Sequence, residues 1–196
     1  MLFRSWIVWS PSSTELARQT DLTVELGLQT IHRTTGRNLG LGYDVGDFDR
    51  AVAKLAEARI PVVVHVIDGL PGETRAMMLE TIRHVAASGV AGVKIHMLHV
   101  MRGTELGRRY LERPFPLLTL PEYVGIVCDQ LALLPPEIAI HRVTGDAPGD
   151  ALIAPEWTRK KFVVQNEIDK ELRRRDVRQG SEWHPGQTLE SRTSDE

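Results

Sequence analysis

Glu25, His65, Lys94, His96 and His141 are the side chains in this sequence best suited to hold a polar substrate and to move protons around it. A carboxylate, an ammonium group and imidazoles together cover ion pairing and proton transfer near neutral pH. Their spacing matters as much as their type. Glu25, Gly27 and Gln29 occupy alternate positions of one apolar run, Val63, His65 and Ile67 of a second, and Lys94, His96 and Leu98 of a third. Alternate residues of a β-strand point to the same side of a sheet, so strands laid side by side would gather these groups on one face. If that face lines a barrel, they converge near the carboxyl ends of the strands, where barrel active sites sit. His141, on a fourth candidate strand, joins them. The alternative is a buried ion network with no catalytic part, because buried charges have to be paired wherever they occur.

Other local signals carry less. His96-x-x-His99 resembles a chelate, but residues three apart on a strand point to opposite faces, so no shared metal is expected. Gly69-x-x-Gly72 ahead of a helix could offer backbone N–H groups to an anion, yet the same turn is an ordinary strand-to-helix connector. Lys160, Lys161 and Arg173 to Arg175 give the last helix a basic character that could meet RNA phosphate. Glu156, Glu167, Asp169, Glu171 and Asp176 on the same stretch favour a solvated, salt-bridged face instead.

The elements that must position these groups follow from the hydrophobic periodicity. Val62 to Ile67 is a β-branched run closed by the Gly/Pro turn 69–72, and it reads as a buried strand of a parallel sheet feeding a helix. Thr23–Thr30 upstream and Ala91–His99 downstream read as two more strands. Between the first two lie a long Gly-rich loop, 36–46, carrying Arg37, Asn38 and Tyr43, and a helix through Phe48, Val52 and Leu55. Met78, Ile82 and Val85 mark the next helix, closed by Gly89. Thr119-x-x-Glu122 is a capping box for a helix through Tyr123, Ile126, Val127, Leu131 and Leu134, which Pro135-Pro136 stops. Ile138–Val143 reads as a fourth strand, 144–154 as a loop, and Pro155 as the start of a helix toward Asp176. In residues 1–22, Phe3–Trp9 could be a strand and Ser12-x-x-Glu15 a cap. From Gly180 to Glu196 the chain is polar and is expected to be disordered. Alternation of strand and helix implies parallel strands joined by crossovers, in an open sheet or a barrel.

Composition bounds the rest. The 196 residues, 42% of them hydrophobic, suffice for one domain with a sizeable core, or one and a small appendage. A formal net charge of −2 and a pI near 6.4 give no global pull toward nucleic acid or an anionic membrane. The single cysteine, Cys128, excludes an internal disulfide and a Cys-rich metal or cluster site, and its apolar neighbours mark it as a core thiol. No stretch approaches the roughly 18 to 20 apolar residues of a membrane span. Met1–Trp9 lacks a small-residue cleavage site, so no secretory signal is expected and a cytoplasmic protein is.

Together, Val24–His32, Gly69-Leu70-Pro71-Gly72-Glu73-Thr74, Lys94–His99 and His141-Arg142-Val143-Thr144-Gly145-Asp146 resemble the carboxyl-terminal part of radical S-adenosylmethionine (SAM) proteins. The nearest likeness is to an uncharacterised bacterial group related to the elongator-type tRNA-modifying enzymes, with the radical SAM C-terminal extension after the barrel. The resemblance implies a partial β/α barrel holding a 4Fe-4S cluster and S-adenosylmethionine, which is cleaved to a 5′-deoxyadenosyl radical. It places Gln29 on the fourth strand of the family's barrel beside S-adenosylmethionine, Ile67 on the fifth at the adenine, and Leu98 and His99 on the sixth closing the adenine pocket. Glu25, His65, Lys94, His96 and His141 then face the substrate cavity.

The sequence also departs from that family. The cluster motif C-x-x-x-C-x-x-C is absent, and the position twelve residues beyond Gln29, where the family tends to carry an Arg for the S-adenosylmethionine carboxylate, is Leu41, with Arg37 the nearest substitute. The expected organisation is an uncertain segment 1–22, the carboxyl-terminal half of the barrel at 23–135, a C-terminal α/β extension at 136–179 and a disordered tail at 180–196. The expectation is half of a radical SAM enzyme, truncated by its gene model or in nature, inactive by itself, and self-associating or needing an amino-terminal half because its first strand is an edge. The substrate is open, with tRNA implied only by the relatives. The alternative, from another class, is a non-catalytic half-barrel that binds or scaffolds, contacting RNA through its last helix.

Overall fold

A computed structural model describes residues 21–146 and 149–184. Four strands form one parallel sheet in the order β1 (Val24–Gln29), β2 (Val62–Asp68), β3 (Gly92–Met97) and β5 (Ala139–Arg142). A two-residue strand, β4 (Val100–Met101), pairs antiparallel with β6 (Leu152–Ala154) outside that sheet. The helices are α1 (Arg33–Asn38), α2 (Val45–Glu57), α3 (Arg75–Ala87), α4 (Glu105–Glu112), α5 (Leu120–Leu133) and α6 (Lys161–Arg175), with a 3-10 turn at Glu156–Arg159. The architecture is α/β, an arc of a parallel β/α barrel.

The local causes are those the sequence supplies. The Asp44 carboxylate accepts from Asp47 N and Asp47 reaches back, and Thr119 and Glu122 make the same reciprocal box, so α2 and α5 start where their capping residues stand. The helices cover one face of the sheet. Leu26, Leu28, Val64, Val66, Val93 and Ile95 pack there against Phe48, Val52, Ile82, Val85, Tyr123, Val127, Val164 and Ile168. Each such buried aliphatic group is worth about 1.5–3 kcal/mol relative to exposure. The opposite face carries Glu25, His65, Lys94 and His96, so alternation along the strands sorts the core from the polar groups.

Several expectations are corrected in detail. The loop expected at 36–46 begins inside a helix, α1, whose backbone closes on itself through Gly36 N to His32 O and Leu39 N to Thr35 O. The third strand ends at Met97 instead of His99, with Leu98 N to Asp68 O closing its ladder with β2. The loop expected at 144–154 ends in β6, whose three-residue apolar run is too short to show a strand period. β5 bonds into the same sheet as β1 to β3, so the sheet continues past residue 135. Of the tail expected to be disordered, Gly180 N and Glu182 N bond Leu131 O and Ala132 O at the end of α5. The Phe3–Trp9 strand, the Ser12-x-x-Glu15 cap and residues 185–196 lie outside the described residues. Among the described residues no helix is long and apolar enough to cross a membrane.

Candidate functional site

The polar face is a bonded cluster, built from strands far apart in sequence. Glu25 on β1 takes His65 Nε2 of β2 at 2.7 Å and, on its other oxygen, the Lys94 ammonium of β3. The Lys94 bond, and after it the His65 bond, hold the Glu25 carboxyl below its ordinary range against a partial desolvation. The His65 ring stacks on that of His96 with centroids 5.5 Å apart and planes 15° from parallel. Burial first, then the nearby His65, Arg142, His99 and Lys94, pull His96 down to about 4, so its ring is neutral at physiological pH. Its Nε2 is buried with no hydrogen-bond partner among the described residues.

His99 joins this cluster, which strand alternation forbids. Because β3 ends at Met97, the chain swings His99 back toward His96, and both rings press on Gly145. A Cβ at Gly145 would stand 2.7 Å from His99 Cε1 and 3.3 Å from His96 Nδ1, so only glycine lets this loop approach. The Gly145 N–H is taken by Met97 Sδ at 3.1 Å. His99 Nε2 is also buried without a partner among the described residues, and burial lowers its pKa while Asp146 opposes. His141 lies over Gly92, where a Cβ would meet its Nε2 at 2.6 Å, on the polar side of the sheet. The absence of side chains at Gly92 and Gly145 is therefore what makes room for the imidazoles.

Gln29, Ile67 and Leu98 sit at the carboxyl ends of β1, β2 and just beyond β3. Ile67 packs with Leu70, Leu98 and Val100 in a second, smaller apolar cluster that also takes in Leu39 and Phe115. Gln29 is apart from it, facing Tyr43, which the sequence marks only as part of a glycine-rich loop. A cleft of about 230 Å³ at the end of β1 is lined by Thr30, His32, Arg37, Leu41 and Tyr43 among others, so Arg37 and Leu41 do share one wall. Glu73 ties this end together: Thr30 Oγ1 donates to its carboxyl at 2.5 Å, and burial raises its pKa despite that bond.

The weaker motifs resolve as structure. The Gly69 N–H donates to Met78 Sδ, and Gly69 and Gly72 have φ of 81° and 87°, which makes 69–72 a turn with one amide already taken. Arg173, Arg174 and Arg175 are tied to Asp169, Glu171 and Asp129, so they form the salt-bridged face. At the other end of α6 a second cleft, about 410 Å³, is lined by Gly145, Asp146 and Thr158–Val163, with Phe162 71% exposed beside Lys160 and Lys161. Among the described residues no three His, Cys, Asp or Glu are grouped to hold a metal ion. Cys128 is buried at the α5–α6 contact, its thiol toward Ile168 O and pushed up to about 11 by burial, which disfavours the thiolate that binds iron. A 4Fe-4S cluster takes at least three thiolates, and the residues present do not fit it.

Comparison with known proteins agrees with this geometry. Residues 14–85 match the family model of the Radical SAM superfamily, and 90–174 that of the Radical_SAM C-terminal domain. The chain is 43% identical over 166 residues to the uncharacterized protein YtqA of Bacillus subtilis, covering 85% of this chain and 52% of that one. It is 31% identical over 161 residues to protein YhcC of Escherichia coli, covering 82% and 52%. A tRNA uridine(34) acetyltransferase of Dehalococcoides mccartyi is 31% identical over 68% of this chain and 30% of its own length. The chain thus spans about half the length of the first two relatives. The solved structure of Methanocaldococcus infernus Elp3 superposes with a TM-score of 0.77 at 20% identity, covering 87% of this chain and 40% of that chain, and so shares the fold.

Proposed function

Because this chain belongs to the radical SAM superfamily, we propose that it forms the carboxyl-terminal part of an S-adenosylmethionine site whose polar sheet face receives the substrate. The observation that supports this best is the Glu25–His65–Lys94 cluster, stacked on His96 across the middle of the polar face of a parallel sheet and left partly open to solvent. The small apolar cluster of Ile67 and Leu98 would take the adenine, and Gln29 the polar groups of the nucleoside or amino acid. S-adenosylmethionine held there would supply a 5′-deoxyadenosyl radical only where a reducing cluster is furnished from outside this chain.

The residues of this chain then have separate duties. Glu25 and Lys94 fix each other, and Glu25 fixes the His65 ring, leaving Nδ1 to meet a substrate proton. His96, neutral and buried, offers a ring nitrogen as acceptor or donor. The substrate is a polar molecule; a tRNA nucleotide is one such substrate, the choice that the relatives favour. Because the cluster ligands do not fit, radical formation requires thiolates from outside this chain. The test is calorimetric titration with S-adenosylmethionine of the purified chain and of Lys94→Ala. Binding by both, with Lys94→Ala unchanged, separates cofactor from substrate duties; no binding by either rejects the S-adenosylmethionine reading.

The second cleft favours another reading, a half-barrel that binds or scaffolds without catalysis. There Phe162 offers a stacking platform and Lys160 a phosphate contact, while Arg159 is tied to Leu152 O and Glu156 and Lys161 to Asp146. Loss of RNA binding on Phe162→Ala, with S-adenosylmethionine binding absent, would select it.

A further inference from the structure

We infer that Tyr43 is a positioning residue for Gln29: its hydroxyl holds the Gln29 carboxamide over Gly27, preset on the polar face for the ligand. The inference rests on the reading of Gln29 as an S-adenosylmethionine contact, and its own support is geometric. The pairing of β1 with β2 slips between Gly27 and Gln29, a bulge that re-aims the end of the strand. Gln29 itself has φ of 64°, in the left-handed region that an L side chain rarely adopts. Backbone held in such a state at the mouth of a sheet is a mark of a functional constraint, since the surrounding structure has to over-determine it.

The side chain uses the space this creates. A Cβ at Gly27 would stand 2.5 Å from Gln29 Nε2 and 3.3 Å from Tyr43 Oη, so the amide and the phenol meet in the volume that glycine leaves vacant. The two polar ends share that volume, and the neighbouring amide offsets part of the burial that raises the Tyr43 pKa. Tyr43 also lines the cleft at the end of β1, which leaves it in reach of a ligand there. A glutamine carries three side-chain torsions, and fixing them before binding removes an entropic cost that the ligand would otherwise meet.

The test is a double-mutant cycle on the chain as it stands, read by calorimetric titration with S-adenosylmethionine and by thermal unfolding. Tyr43→Phe removes one hydroxyl and should weaken binding by about five- to tenfold, the range of a single net hydrogen bond, without a fall in melting temperature. Gln29→Ala should weaken it at least as much, and adding Tyr43→Phe to Gln29→Ala should then change nothing further. Additive losses, or a loss in Tyr43→Phe matched by lowered stability, would overturn the positioning role. If the unmodified chain binds no S-adenosylmethionine at millimolar concentration, the cofactor reading falls and nuclear magnetic resonance decides the pair. Gln29 carboxamide signals, assigned by their loss in Gln29→Ala, should move to free-amide positions in Tyr43→Phe. Unmoved signals would end the inference.

Discussion

The two faces of the four-stranded sheet carry ionisable groups under opposite conditions. On the open face Glu25 is half exposed and satisfied twice, by His65 and Lys94, and its carboxyl is held low. On the helix face Asp68, at the end of β2, is 2% exposed and has one partner, Gln130 Nε2 of α5 at 2.7 Å. Asp68 Oδ2 and Gln130 Oε1 are buried without partners among the described residues. Burial outweighs the Gln130 bond and pushes the Asp68 carboxyl up to about 7. Two carboxylates on one strand pair, facing opposite ways, therefore lean in opposite directions with pH. The difference separates groups paired on an open face from groups buried by the packing of the core.

The contrast breaks most visibly at β3, where Lys94 and Ile95 are neighbours in sequence and point to opposite faces. Ile95 is fully buried, and Ile95→Ala should cost roughly 2–5 kcal/mol in denaturant unfolding. Asp68 comes next. Between its ordinary value of 3.8 and about 7 the unfolded chain has released a proton that the folded chain keeps, so stability falls as pH rises through that window. The fall is about 4 kcal/mol at most. Asp68→Asn should flatten the profile between pH 4 and 7 in urea titrations; a slope that survives the substitution would assign it to other groups.

Lys94→Ala should cost no more than about 1 kcal/mol, because its partner Glu25 is half exposed and solvent screens the pair. A loss as large as that of Ile95→Ala would instead make the polar face a structural network, with Glu25 left as a stranded charge. The smallest effect is expected at Glu25. Its lowered carboxyl contributes stability that is present above its unfolded pKa and disappears as pH falls through the lower folded value. Glu25→Gln should remove that acid-side loss, a change below about 1 kcal/mol, and a melting-temperature series from pH 3 to 6 would detect it.

Legibility from the sequence differed between these faces. The alternation in Val24–Gln29, Val62–Asp68 and Gly92–Met97 placed Glu25, His65, Lys94 and His96 on one side, since the strand period is two and core residues occupy the other positions. The capping residue Thr119 fixed a helix start for a local reason, a side chain bonding a backbone amide three residues on, while the same box at Asp44 went unread. The cysteine count by itself barred a cluster held within the chain. Helix α1, β4 and β6 were not legible, because short elements carry too few residues for a period to show.

Sequence by itself thus determined the sorting of polar from apolar groups, a property of the strand period, and the supply of ligands, a property of composition. Tertiary structure alone decided which of those groups meet. The Glu25–Lys94 and Asp68–Gln130 bonds join residues 69 and 62 positions apart, and the sheet register and the α5 docking that create them are set by the whole core. His99 reached His96 because β3 stopped two residues early, and Gln29 reached Tyr43 through a bulge and a left-handed backbone that alternation does not encode. Such meetings depend on where a strand ends and slips, and that is fixed by the competition of backbone hydrogen bonds and packing across the assembled sheet.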